Sequence, residues 1–182
     1  IHAFLEGKYD CLISFVQLPA IADIEIEYGK THAGNGALPS APGTMQHLAL
    51  VVDNDEELLA LRDRIRSRGV NVLGPIDHGM CRSMYFAGPE GLTLEVATSD
   101  EAIDPKHWLD PKAAAEVGID TDLMARFAAP ESFARPSEPV PQPAYDADKP
   151  HMVYPEAVYQ QLLKMSDEEV SAATSVNEPP VP

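Results

Sequence analysis

Residues 44–98 read TMQHLALVVDNDEELLALRDRIRSRGVNVLGPIDHGMCRSMYFAGPEGLTLEVAT, and the order of apolar runs, breakers and charges in this stretch decides the fold. Behind Pro42 and Gly43, the β-branched and apolar run 44–52 predicts a strand. Asp53, Asn54 or Asp55 can then cap a helix, and Glu56 and Glu57 suit its positive end. Leu58, Leu61 and Ile65 share one face of that helix, while Arg62, Asp63, Arg64 and Arg66 point elsewhere. Gly69 stops it. Further strands are predicted over 70–73, 83–87 and 92–97, with the turn Gly88-Pro89-Glu90-Gly91 joining the last two. The fold class is α+β, and the order is strand, helix, strand, strand, strand.

Outward from this module, the composition changes on both sides. Residues 29–43 (GKTHAGNGALPSAPG) read as a Gly/Pro-rich linker. Residues 1–28 hold strand-like runs at 12–16 and 21–28 but no helix. They read as the remnant of a first module whose opening strand and helix lie upstream. Residues 99–182 carry 12 of the 17 prolines and 16 Asp and Glu against 6 Lys and Arg, which makes them an acidic, Pro-rich tail. Short helices are expected there at 113–117 and 123–127, polyproline-like chain at 136–143, and a longer helix at about 155–173.

The bulk numbers exclude several function classes. A net charge of −16 repels phosphate backbones and anionic lipid heads, and no basic stripe interrupts it, so neither nucleic acid nor membrane is an expected partner. No apolar run approaches the roughly 20 residues that span a bilayer. The two cysteines, Cys11 and Cys81, are too few for a disulfide scaffold and read as reduced thiols. With no basic-then-apolar leader, a cytoplasmic protein is expected, although the sequence opens on Ile1 rather than Met.

Alternation along the strands assigns their faces. Met45, His47, Ala49 and Val51 are expected on one face of the first strand, with Gln46, Leu48, Leu50 and Val52 on the other. Thr93, Glu95 and Ala97 share a face of the last strand. A half-buried carboxylate costs several kcal/mol unless it is paired or bound to a metal, so Glu95 calls for a partner, and His47 is the best placed. The plainer alternative is a satisfied core histidine beside a carboxylate on a wet sheet face.

From His78 to Glu95 the chain reads HGMCRSMYFAGPEGLTLE. With His78, Met84, Tyr85, Pro89, Gly91 and Glu95 in the conserved slots, this resembles the signature of extradiol ring-cleaving dioxygenases. Gly88 departs from it, standing where that family has an acidic or other small residue. The closing pattern is similar to that of glyoxalase and bleomycin-resistance proteins too, and on these residues the chain is identified as a member of the vicinal-oxygen-chelate superfamily. The resemblance implies βαβββ modules forming a cupped mixed sheet around a metal site. It implies His47 and Glu95 as metal ligands, His78 as an acid/base and Tyr85 as the hydroxyl that contacts substrate; Arg82, read on its own chemistry, is expected either to be a substrate contact that holds a carboxylate or simply to face water. The divalent metal implied is Fe(II), with Zn, Ni or Mn as alternatives. A third ligand would come from upstream or from Gln17, whereas His2, His32, His107 and His151 read as bland. The leading expectation is an extradiol-type dioxygenase acting on a catechol- or hydroquinone-like small molecule. The alternatives are a glyoxalase-like lyase or isomerase and a non-enzymatic small-molecule binder. A homo-oligomer is expected.

Overall fold

The computed structural model describes residues 2–8, 11–100, 102–176 and 178; the remaining positions of the expected N-terminal remnant and tail lie outside the described residues. Contacts divide the chain into two units, residues 1–114 and 115–182.

In the first unit, β1 (His2–Glu6) and β2 (Leu12–Val16) form an antiparallel hairpin, with His2 opposite Val16 and Glu6 opposite Leu12. The second half of this hairpin matches the expected run at 12–16; its first half was not anticipated. The expected strand at 21–28 is absent. Pro19 instead starts a 3-10 turn over Pro19–Asp23, and the chain then runs irregularly to Tyr28, whose one bridge is to His32.

A four-stranded mixed sheet follows, built from β3 (Leu48–Val51), β4 (Val72–Asp77), β5 (Arg82–Ala87) and β6 (Thr93–Thr98) in the order β3-β6-β5-β4. β3 runs parallel to β6, and the other pairs are antiparallel. Helix α1 (Asp55–Ser67) connects β3 to β4. Asn54 caps its start by accepting from the Glu57 N–H at 2.9 Å.

The strand boundaries differ from those the sequence predicts, most of all in the first two strands. β3 is shorter than 44–52 because Thr44 folds back on Ala41, its hydroxyl reaching the Ala41 carbonyl at 2.7 Å, and the ladder starts only at Leu48 opposite Leu94. The second strand begins at Val72 rather than Val70 because the helix stop consumes the earlier residues. Gly69 (φ +82°) donates to the Arg66 carbonyl at 2.9 Å and Val70 to that of Ile65 at 3.4 Å, which closes the helix with a left-handed glycine. β4 then continues past Pro75 with a register shift between Leu73 and Ile76, which an edge strand tolerates.

Alternation sorts the sheet into two faces. Met84 and Val96 pair across β5 and β6 and pack with Val72 and Leu58 into the buried core, flanked by Leu50, Val52, Leu61, Ile65 and Phe86. α1 covers this face. The opposite face carries Ser83, Tyr85, Thr93 and Glu95. Beyond the sheet lie α2 (Pro105–Trp108) and α3 (Pro111–Glu116).

The second unit holds α4 (Thr121–Ala128), α5 (Glu156–Leu162) and α6 (Asp167–Thr174). The single helix expected at 155–173 is split in two. Ser166 and Glu169 form a reciprocal capping box that starts a new helix where the first would have continued. Among the described residues, no helix is long and apolar enough to cross a membrane.

Leu58 is fully buried and Val51 is 71% exposed on the edge strand. Leu58→Ala is therefore expected to destabilise the protein by about 2–5 kcal/mol. Val51→Thr should stay within about 0.5 kcal/mol. Urea melts monitored by far-UV circular dichroism check both, and equal effects would contradict this placement of the core.

Candidate metal centre

Glu95 sits in β6, one of the two central strands of the sheet. In the ladder, Ala49 of β3 stands beside it on one side and Tyr85 of β5 on the other. Its carboxylate is buried, with the residue 7% exposed. His47 lies just ahead of β3, two residues before Ala49 and on the same face, and its Nε2 stands 2.7 Å from Glu95 Oε2. Ser83, fully buried, and Tyr85 lie on the same face of the sheet as this carboxylate. Burial pushes the Glu95 carboxyl up. The hydrogen bonds from Ser83, Tyr85 and His47 together outweigh it and hold the group below its ordinary value of 4.5.

Tyr85 links this cluster to His78. The phenol oxygen is 3.1 Å from His78 Nε2, and the Tyr85 ring lies edge-on to both imidazoles, with centroids 6.2 Å from His47 and 6.1 Å from His78. Burial, then the Glu95 carboxylate, push the phenol above its ordinary value of 10, so Tyr85 stays protonated at neutral pH. His78 and Tyr85 both line a cavity of about 770 Å³, together with Leu73, Ile76, Thr93 and the loop residues Gly34–Ala37.

Arg82 is not part of this cluster. It lies in β5 in phase with Met84, so it faces the α1 side, where its guanidinium pairs with Asp55 in the first turn of that helix. The expected substrate contact is thus replaced by an ion pair on the core side of the sheet. Gln17 is exposed after β2, on the hairpin rather than in the four-stranded sheet. His32 bonds to the Thr31 hydroxyl, and His107 lies 3.7 Å from Asp104.

The residue that sequence reading missed is Gln46. It was expected on the opposite face from His47. With the strand starting only at Leu48, its side chain instead bonds to His47 Nδ1 and reaches the backbone of Asn35 and Leu38.

One imidazole nitrogen and one carboxylate oxygen, held together on a buried face, are a donor pair that suits a divalent metal of the Fe, Zn, Ni or Mn type. Two donors about 2.0–2.2 Å from one ion and at right angles to each other stand roughly 3 Å apart. The observed 2.7 Å is compatible with that arrangement. Among the described residues, no group of three His, Cys, Asp or Glu side chains converges. The pair therefore fits as part of a metal site rather than as the whole of one.

Comparison with known proteins gives the same grouping. A family model described as the Glyoxalase/Bleomycin resistance protein/Dioxygenase superfamily matches residues 9–96. The chain is 30% identical over 106 residues to biphenyl-2,3-diol 1,2-dioxygenase 2 of Rhodococcus globerulus, a match covering 56% of this chain and 54% of that protein. It thus spans about half the length of this curated relative. Among solved structures, it is similar to the fosfomycin resistance protein FosX from Listeria monocytogenes, with 28% identity, 31% of this chain and 47% of that chain covered, and a TM-score of 0.27. It is also similar to a glyoxalase/bleomycin resistance protein/dioxygenase from Nocardioides, with 23% identity, 57% and 65% covered, and a TM-score of 0.36.

The hydrogen-bonded Glu95 carboxylate makes stability depend on pH. A carboxyl held below its unfolded value stabilises the fold fully above about pH 4.5, and that contribution is lost as pH falls through the depressed folded value. Glu95→Gln leaves donors facing an amide and is expected to cost about 1–3 kcal/mol at neutral pH in metal-free buffer. The gap to wild type should shrink steadily below pH 4.5. Urea melts across pH with a chelator present check this, and a gap that does not vary with pH would contradict the ionised, donor-bound carboxylate.

Proposed function

We propose that this chain, whose residues 9–96 match the family model of the glyoxalase/bleomycin resistance protein/dioxygenase superfamily, is a divalent-metal-dependent enzyme that cleaves the ring of an uncharged aromatic diol. The observation that carries this reading is the approach of His47 Nε2 to Glu95 Oε2 at 2.7 Å on the buried face, with Tyr85 and His78 in line beside it. In this reading His47 and Glu95 hold Fe(II), and a further donor completes the site. When bound, the metal would supply Lewis acidity toward the substrate oxygens and the redox chemistry that dioxygen needs.

The chain's own residues do the rest. Tyr85, kept protonated by burial and by Glu95, offers its phenol oxygen at the wall of the cavity. His78 lines the same cavity on the more exposed side, where its imidazole can take or return a proton at a substrate hydroxyl. The cavity wall carries Leu73 and Ile76, and among the described residues that line it none is Lys or Arg, which suits an uncharged ring better than an anionic substrate. The relative from Rhodococcus globerulus is named for an aromatic diol, and this supports the same substrate class.

Metal analysis of protein purified without oxygen, followed by oxygen uptake with catechol or biphenyl-2,3-diol, tests the reading. Iron with uptake supports it. Nickel or zinc without uptake would point to a glyoxalase-like lyase, and no metal at all to a small-molecule binder. His47→Ala is expected to lose metal and turnover together. His78→Gln should keep its metal and lower ring cleavage by about 10²–10⁴-fold, the usual worth of general acid/base help. Unchanged turnover in His78→Gln would remove the proton role of His78 while leaving the metal site standing.

A further inference from the structure

We infer that Gln46 is a positioning residue, one that fixes which nitrogen of His47 faces Glu95 and ties that imidazole to the loop walling the cavity. The inference rests on the reading of His47 as a metal ligand. It starts from the amide nitrogen of Gln46, which donates to two backbone carbonyls, Asn35 at 3.0 Å and Leu38 at 2.9 Å. Both amide protons are thereby spent. Turning the amide over would press its oxygen against two carbonyl oxygens, so its orientation is dictated by chemistry. The Gln46 Oε1 is then left against His47 Nδ1. An amide oxygen only accepts, so the ring proton belongs on Nδ1.

The consequence lies on the other side of the ring. With Nδ1 committed to Gln46, His47 presents Nε2 to Glu95 Oε2 at 2.7 Å. A nitrogen lone pair and a carboxylate oxygen do not bond to each other directly, so what belongs between them is a cation, either a proton or a metal ion. A ligand whose second ring nitrogen is held in this way is oriented before metal arrives, and loss of such a partner typically costs 10–100-fold in metal affinity. The same amide pins the loop, because Asn35 and its neighbours Gly34, Gly36 and Ala37 line the cavity beside Tyr85. One side chain therefore sets both the ligand and the wall facing it.

The test uses the full chain with ¹⁵N-labelled histidine and Zn(II) as a diamagnetic probe. His47 is assigned in wild type by comparison with His47→Gln, and Zn(II) affinity is measured by competition with a chromophoric chelator. Wild type is expected to show a slowly exchanging proton on His47 Nδ1 and Zn(II) on Nε2. Gln46→Leu should lose the protection of that proton and bind Zn(II) about 10–100-fold more weakly. Gln46→Glu keeps an acceptor but sets a carboxylate oxygen against the Asn35 and Leu38 carbonyls, so it too should lose the protection of the Nδ1 proton. Should Gln46→Leu fail to fold, the wild-type and Gln46→Glu spectra still decide. A wild-type His47 with no proton on Nδ1, or Gln46→Leu with unchanged affinity and proton exchange, overturns the inference. Wild-type Zn(II) affinity in His47→Ala would instead overturn the metal-ligand reading beneath it.

Discussion

A carboxylate buried in the middle of a sheet constrains everything around it. Glu95 lies in β6, with β3 on one side and β5 on the other, so its neighbours in the ladder are fixed as Ala49 and Tyr85. An ionised carboxylate in such a place costs several kcal/mol unless its oxygens find donors. Here Ser83, Tyr85 and His47 gather around it, and each comes from a strand, or the end of a strand, adjacent to β6. Small Ala49 beside Glu95 leaves space on that face, and His47 enters from the residue just before β3.

Site and core are built from alternate residues of the same two strands. Along β5, Ser83 and Tyr85 face the carboxylate while Met84 and Phe86 face α1; along β6, Thr93 and Glu95 alternate with Leu94 and Val96. A slip of β6 by one residue would put Glu95 into the Leu58–Met84 core, and a slip of β5 would put Met84 onto the polar face, so the hydrophobic contact and the polar cluster specify the same pairing. Arg82 follows from the same parity. Being in phase with Met84, it meets Asp55 at the start of α1, where its charge is matched.

The facing of His47 and Glu95 was legible in the sequence because alternation depends on parity and survives errors in strand ends. Arg82 was legible on the same ground, since it stands an odd number of residues from Tyr85, and a stricter use of alternation would have placed it correctly. Strand and helix ends were less legible, because local hydrogen bonds decide them. The Gly69 stop absorbs Val70, Thr44 turns back to Ala41, and Ser166 with Glu169 restarts a helix that apolar spacing alone would continue. The role of Gln46 was not legible. It depends on residues 35 and 38 returning across the sheet, which no local pattern announces.

The loop before β3 shows why Gly/Pro composition alone is a poor guide to disorder. Several of its backbone groups have hydrogen-bond partners within the loop. Gly29 donates to the His32 carbonyl at 2.7 Å, Thr31 to that of Glu27 at 2.9 Å, Ala41 to that of Lys30 at 2.8 Å, and Ala37 to the Asn35 side chain at 2.9 Å. Ala33 is among the buried residues. At Gly34 the chain takes φ +80°, and a Cβ there would lie 2.7 Å from the Tyr28 ring, so glycine serves close packing at this position as well as the turn. A segment held this way acts as a wall. Because Gln46 joins that wall to His47, a change in the path of residues 34–38 transmits directly to the imidazole, and cavity shape and ligand orientation are set by one shared polar anchor.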